Sequence, residues 1–216
     1  MKNICIIVYT HSKSSKAWKP YFGRLSKHAS TFEVYALSNV EDIKNYVKPE
    51  NCYIYKEDET FTQSWLNASD KLSIKNYKYF VYNQEDFILH DNVNLEMMNE
   101  AVLLIEEGVN DFTKLIRSGG GEFCFQTTLN DLQKFISFIS KHPLNKIWDE
   151  GQLSEKSIGE YECRYIPDEW IGFKRGMFHY DSKIWPYVAT ALNKGVWNTH
   201  EYPIEIESIF SEYKIS

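Results

Sequence analysis

Two adjacent carboxylates, Glu85 and Asp86, stand between the apolar runs Tyr79-Phe80-Val81-Tyr82 and Phe87-Ile88-Leu89. A solvated turn explains such a pair poorly, because both flanks favour burial. Gln84, Glu85 and Asp86 at this tip are therefore candidate ligand contacts. The alternative is a turn or capping role with no ligand, which is common for Asp. A second acidic pair, Asp149 and Glu150, follows Trp148. Its structural reading is an acidic first turn favoured by the helix dipole. Several familiar frames are missing. Ser12 to Lys16 lacks the glycines of a phosphate loop, and the chain has no G-x-G-x-x-G, G-x-S-x-G or H-E-x-x-H motif, which argues against dinucleotide dehydrogenases, serine hydrolases and zincins.

The elements needed to hold these residues follow from hydrophobic periodicity. Ile4 to Tyr9 is a continuous apolar run, as expected of a central strand covered on both faces. Phe32 to Leu37, Cys52 to Tyr55 and Tyr79 to Tyr82 are further strand candidates, with crossover helices over about 19–28 and 60–73. This alternation predicts an α/β sandwich with a mainly parallel sheet. Ligands of such sheets collect outside the carboxyl ends of the strands, which selects Tyr9 and Thr10 after the first strand, Asn39 after the second, and Gln84, Glu85 and Asp86 after the fourth. Apolar stripes at Leu95, Met98, Val102 and Ile105, at Leu132, Phe135, Ile136 and Ile139, and at Ile206, Ile209, Phe210 and Tyr213 read as core faces of helices. Asn130 or Asp131 can cap the second, and Pro203 opens the third. Asp111 to Ile116 and Phe123 to Thr127 read as two more strands around Gly119-Gly120-Gly121.

The chain has 216 residues, with 24 Lys and Arg against 30 Asp and Glu, a net charge of −6 that argues against a nucleic-acid backbone partner. The longest apolar run near the start is too short to cross a bilayer or serve as a secretory signal, so a cytoplasmic chain without a transmembrane segment is expected. The four cysteines form no C-x-x-C pair, as expected of thiols in a reducing compartment. No linker divides the sequence, so one domain over 1–216 is expected. Aromatic residues make up 16% of the chain; Trp170 and Trp185 are candidates for stacking on a sugar, and Lys114, Arg117 and Arg164 for meeting phosphates or an acidic sugar.

The segment from Tyr79 to Leu89, with Gln84-Glu85-Asp86-Phe87 at its tip, resembles the strand and acidic tip of GT-A fold glycosyltransferases, especially bacterial and viral ones with Q-E-D in place of D-x-D. The tail from Gly176 to Asn198, followed by Glu201 and Tyr202, is similar to the closing segment of such enzymes. The resemblance implies a GT-A-like three-layer α/β/α sandwich, with a nucleotide-sugar half over about 1–90 and an acceptor half over about 91–216. It implies transfer of a sugar from a nucleoside diphosphate donor, such as a UDP- or GDP-sugar, to a glycan or glycolipid hydroxyl, as in polysaccharide biosynthesis. Mn²⁺ or Mg²⁺ would neutralise the leaving pyrophosphate, held by Asp86 and, from the tail, His179. Gln84 departs from the pattern and would meet the donor ribose. By the same resemblance Glu150 takes the base position and Asp149 the one before it. The alternatives are a catalytically silent sugar-nucleotide binding protein of the same shape and a nucleotidyltransferase.

Overall fold

The computed structural model describes residues 3–117, 127–145, 160–176, 179–189, 191–193 and 196–215. Strand β1 (Ile4–Tyr9) lies inside a sheet and alternates between two cores. Ile4, Ile6 and Val8 enter one, and Cys5 and Ile7 enter the other, which is why the run is apolar at every position. Helix α1 (Ser15–His28), β2 (Glu33–Ser38), β3 (Cys52–Ile54), α2 (Phe61–Lys71) and β4 (Tyr79–Asn83) follow in the expected alternation. The chain continues through β5 (Ile88–Leu89), α3 (Leu95–Glu106), β6 (Phe112–Lys114), β7 (Thr128–Asp131) and α4 (Leu132–Lys141).

The main sheet has six strands in the order β3-β2-β1-β4-β7-β6. β3, β2, β1 and β4 are parallel to one another, and β7 runs antiparallel to both β4 and β6. Strands from both halves of the sequence therefore share one sheet. The two cores are its two faces. α1 contributes Trp18, Tyr21, Phe22 and Leu25 to one, joined by Met98, Val102 and Ile105 of α3. α2 contributes Phe61, Trp65 and Ala68 to the other, joined by Leu132, Phe135 and Ile139 of α4. This is the three-layer α/β/α sandwich with a mainly parallel sheet.

Local chemistry sets the helix starts. Thr60 and Gln63 form a reciprocal capping box before α2, Asn94 caps α3, and Asp131 accepts from the Lys134 amide at 2.9 Å before α4. The strands described after Lys141 are short: β8 (Ile171–Arg175) and β9 (His179–Ser182) form a hairpin, β10 (Tyr187–Val188) pairs with β5, and β11 (Leu192–Asn193) pairs with β12 (Val196–Trp197). Helix α5 (Pro203–Tyr213), opened by Pro203, buries Ile206 and Ile209 against the α1 side of the sheet.

One strand departs from the sequence expectation. Strand β7 spans Thr128–Asp131, whereas the pattern places the strand over Phe123 to Thr127; the cap expected at Asn130 or Asp131 is Asp131, which ends β7 and opens α4. Positions 118–126, with the three glycines and most of that expected strand, lie outside the described residues. β7 hides its character because Thr128 and Asn130 are buried but polar. Asn130 Nδ2 donates to Thr128 Oγ1 at 2.8 Å, and Asn130 Oδ1 accepts from the Tyr161 hydroxyl at 2.7 Å. Such satisfied polar groups are tolerated in a core, and they erase the apolar signature.

Candidate functional site

The order β3-β2-β1-β4 means that the chain moves outward from β1 in one direction and then returns to its other side. The carboxyl ends of β1 and β4 flank this topological switch point, where open α/β sheets leave a crevice. Register places Val8 opposite Asn83, so the residues leaving the two strands emerge together. Tyr9, Thr10, His11 and Ser14 from one side and Gln84, Glu85 and Asp86 from the other line a cleft of about 340 Å³. Tyr55, Glu57, Glu59 and Phe61, beyond the end of β3, form its third wall. Asn145 and Leu192 complete the lining. The volume falls within the range of small-molecule sites.

Thr10 anchors the floor. Its amide donates to the Leu37 carbonyl at 2.9 Å, its Oγ1 accepts from Trp18 Nε1 at 2.8 Å, and its carbonyl accepts from the Tyr55 hydroxyl at 2.9 Å. Tyr9 stacks on Tyr55, with centroids 5.0 Å apart and planes 11° from parallel, and tilts against Phe61 at 4.9 Å. Such offset stacks leave apolar faces beside the polar tip. Asn39 braces the β1 loop from behind: it accepts from the Ser12 amide at 2.8 Å and donates to Glu57 Oε1 at 2.7 Å. It does not line the cleft among the described residues.

The acidic tip is short of compensating charge. Glu85 is buried, and burial raises its pKa against hydrogen bonds from the Ser14 and Thr10 side chains. Asp86 keeps some exposed surface, but its Oδ1 is sealed from solvent without a hydrogen-bond partner among the described residues. Burial first, and the Glu85 charge second, push Asp86 up to about 8. Tyr21 of α1 is buried behind the pair, and its pKa is raised by burial and then by the Glu85 and Asp86 charges. Glu57 and Glu59 add two more carboxylates, and the described lining carries no Lys or Arg. Glu59 is held by the Tyr53 hydroxyl at 2.9 and 3.0 Å, and Glu57 faces His11 Nε2 at 3.4 Å.

A hard divalent cation fits the orphaned Asp86 oxygen, which would gain the charge it lacks. Among the described residues no group of three or more His, Cys, Asp or Glu is arranged to hold a metal alone. A cation here would take its remaining ligands from water and ligand oxygens, as Mg²⁺ commonly does. His179 lies on β9 with Nδ1 2.8 Å from Glu201 Oε2 and its ring edge-on to Phe87 at 6.5 Å. It stands next to the residue that follows Asp86 but is not among the lining residues. Asp149 and Glu150 lie outside the described residues.

The sequence-selected residues thus divide. Tyr9, Thr10, Gln84, Glu85 and Asp86 meet in one cleft. Trp170 and Trp185, expected as sugar-stacking candidates, are instead buried core residues, with Trp170 Nε1 donating to Glu100 at 3.2 Å. Arg164 pairs with Asp111 at 2.8 Å and Glu162 at 3.4 Å, which gives it a structural partner in place of a phosphate. Lys114 sits on edge strand β6, where its amide donates to Cys163 Sγ at 3.5 Å. Tyr55, Glu57, Glu59 and Phe61 were missed, although the strand-end rule applied to β3 selects the same segment.

No protein-family model matches the chain, and no curated protein matches it. Among solved structures, a cytidylyltransferase from Leptospira borgpetersenii serovar Hardjo-bovis (strain JB197) is similar over 100% of this chain and 97% of that one, with a TM-score of 0.51 and 14% identity. Looser likenesses are to CMP:2-keto-3-deoxy-manno-octonic acid synthetase complexed with CTP, at TM-score 0.47 and 7% identity over 73% of this chain and 86% of that one, and to S. aureus TarS 1-349, at TM-score 0.36 and 14% identity over 66% and 49%. At these identities the full-length likeness speaks for the fold: the chain has the GT-A-like α/β sandwich that it shares with the cytidylyltransferase.

Proposed function

We propose that the chain is a nucleotide-dependent transferase whose cleft between the β1, β3 and β4 ends takes a nucleoside di- or triphosphate compound. The observation that carries this reading is the acidic tip at the switch point: a carboxyl pair with no Lys or Arg among the described lining residues shares a cleft of about 340 Å³ with the Tyr9, Tyr55 and Phe61 rings. Rings offer a base or sugar a stacking face. Asp86, with phosphate oxygens of the substrate, is the proposed seat of Mg²⁺ or Mn²⁺, whose charge would offset the polyphosphate that the carboxylates alone repel.

Two reactions can use this arrangement. In nucleotidyl transfer an acceptor oxygen attacks the α-phosphorus of a nucleoside triphosphate and pyrophosphate leaves; the whole-chain likeness to a cytidylyltransferase favours this reaction. In glycosyl transfer an acceptor hydroxyl attacks the anomeric carbon and a nucleoside diphosphate leaves; the Q-E-D tip favours this one, with Glu150 as proposed base beside Asp149. A panel of CTP, other nucleoside triphosphates and nucleotide sugars, each with Mg²⁺ or Mn²⁺, tests the common reading by thermal stabilisation. A ligand at 100 times its Kd stabilises by about 2.7 kcal/mol. Release of pyrophosphate or of nucleoside diphosphate then identifies the reaction. In the glycosyl case Glu150→Gln lowers transfer by roughly 10²- to 10⁴-fold with nucleotide affinity nearly intact. Absence of stabilisation by every nucleotide in the panel would overturn the proposal.

A further inference from the structure

The described lining of the cleft carries no Lys or Arg, whereas an arginine and a lysine share one aromatic ring on the β8–β9 hairpin. The four arginines are Arg24, Arg117, Arg164 and Arg175. Arg24 pairs with Glu212 at 2.7 Å, Arg164 with Asp111 at 2.8 Å, and Arg175 with Asp181 at 2.9 Å and Glu205 at 3.2 Å. Arg117 has no carboxylate partner among the described residues. Its guanidinium lies over the Tyr180 ring, 5.2 Å from the centroid. Lys174 Nζ reaches the same ring at 5.8 Å, is exposed, and likewise has no carboxylate partner among the described residues. Among the described residues the other three arginines each have a carboxylate partner, whereas Arg117 and Lys174 share an aromatic ring.

The fold holds this group in place and next to the acidic tip. β6 runs parallel to β4, because β7 is antiparallel to both, so Arg117 emerges at the same end of the sheet as Asp86. The Tyr180 amide donates to the Arg117 carbonyl at 3.2 Å, and the Tyr180 carbonyl accepts from the Tyr187 hydroxyl at 2.7 Å. Tyr187 packs against Phe87, the neighbour of Asp86, with centroids 5.6 Å apart. Pairing of Lys174 with Tyr180 across the β8–β9 hairpin sets the position of the lysine. The ring is therefore anchored by its backbone at both ends and presents its face with two cations.

We infer that Arg117, Lys174 and Tyr180 form an anion-recognising subsite for the acceptor, which would be a phosphorylated or carboxylated sugar. Guanidinium and ammonium groups bind phosphate or carboxylate oxygens, and cation–π contact with the Tyr180 ring holds both cations in one place. The role as acceptor subsite rests on the proposed transferase reading; the anion binding itself does not.

The test uses the full chain, with glucose 6-phosphate as probe and glucose as its neutral control, measured by calorimetry at low salt. Wild type binds glucose 6-phosphate and not glucose. The double variant Arg117→Gln, Lys174→Gln loses at least about tenfold in affinity, Arg117→Lys retains part of it, and both keep wild-type nucleotide stabilisation. Because both side chains are exposed, melting temperatures stay unchanged, which separates lost binding from lost folding. The inference is overturned if wild type does not bind glucose 6-phosphate, if the double variant binds it equally well, or if nucleotide displaces it, which would put the probe in the main cleft. Binding to phosphatidylglycerol vesicles without binding of glucose 6-phosphate would also overturn it, by assigning the cations to a lipid surface. Loss of nucleotide binding in wild type would sink the transferase reading while leaving the anion site standing.

Discussion

Two acidic regions of this molecule treat their carboxylates in opposite ways. In the tail, Asp181 receives Arg175 Nε at 2.9 and 3.1 Å, Glu205 receives Arg175 Nη2 at 3.2 Å, and the guanidinium lies over the Tyr202 ring at 5.4 Å. One guanidinium is shared there by two carboxylates. At the tip of β4, Glu85 and Asp86 have no cation among the described cleft residues, and burial raises both. A fold that can place an arginine beside one acidic pair and leaves the other bare has kept the second pair available for a charge from outside. A buried carboxylate without compensation is costly to stability, which makes its retention a mark of a site.

The largest expected effect breaks this comparison at the bare pair. Asp86→Asn removes the group that would collect the cation's charge and keeps the side-chain volume. Turnover falls by roughly 10²- to 10³-fold, as when a main electrostatic stabiliser is lost, while the protein remains folded. Product release at saturating metal and nucleotide measures it. Unchanged turnover would mean that the uncompensated pair is a structural accident.

The matched pair predicts the reverse. Arg175→Ala leaves Asp181 and Glu205 facing each other without a cation and costs about 2 kcal/mol of stability, since hydrogen bonds to charged groups contribute about 1.5–3 kcal/mol. For a chain of 216 residues this lowers the melting temperature by about 4–8 °C. Nucleotide stabilisation, measured as a shift from the variant's own melting temperature, stays at the wild-type value. Were nucleotide binding to fail with folding intact, the tail network would belong to the site.

How much of this was open to a reader of the sequence depends on what each segment hides. β1 and the Phe87-Ile88-Leu89 run were legible because burial on both sides leaves only apolar residues. From these the switch-point cleft followed, with Tyr9, Thr10 and the Gln84 to Asp86 tip. β7 was not legible, since Thr128 and Asn130 satisfy one another inside the sheet. The wall formed by Glu57 and Glu59 was missed for a related reason: Lys56-Glu57-Asp58-Glu59 reads as a solvated turn, and only the position of β3 in the sheet brings it to the cleft. The three paired arginines could not be told from the bare one either, because pairing joins residues as distant in sequence as Arg24 and Glu212.

Titration sharpens the contrast further. Asp86 has its folded pKa raised from 3.8 to about 8, so the folded chain holds a proton that the unfolded chain releases. Its contribution to stability is complete below about pH 4, declines as pH rises, and is gone once pH has passed about 8. Asp86→Asn cannot ionise, so relative to wild type it gains stability between pH 5 and pH 9. Urea unfolding at pH 5, 7 and 9 reads this difference; parallel profiles for the two proteins would show that Asp86 is ionised and compensated throughout. Arg175 is held in its charged form by Asp181 and contributes no such slope in this window.

The smallest effect concerns a neutral contact at the same end of the sheet. Tyr55 makes two separable contributions to the cleft: its ring stacks on Tyr9 at 5.0 Å, and its hydroxyl donates to the Thr10 carbonyl at 2.9 Å. Tyr55→Phe keeps the first and deletes the second. Burial raises the Tyr55 pKa, so the hydroxyl is a donor at any working pH, and its loss leaves the Thr10 carbonyl one partner short. The cost is about 1 kcal/mol of stability, the usual net contribution of one buried neutral hydrogen bond. Because Thr10 is still held by Leu37 and by Trp18, the tip does not move, and nucleotide affinity falls by less than about threefold on that energy scale. Chemical unfolding and a nucleotide titration of the variant check both numbers. An affinity loss of tenfold or more at a stability loss near 1 kcal/mol would mean that the hydroxyl touches the nucleotide directly, and that the third wall of the cleft contributes a polar contact as well as a stacking face.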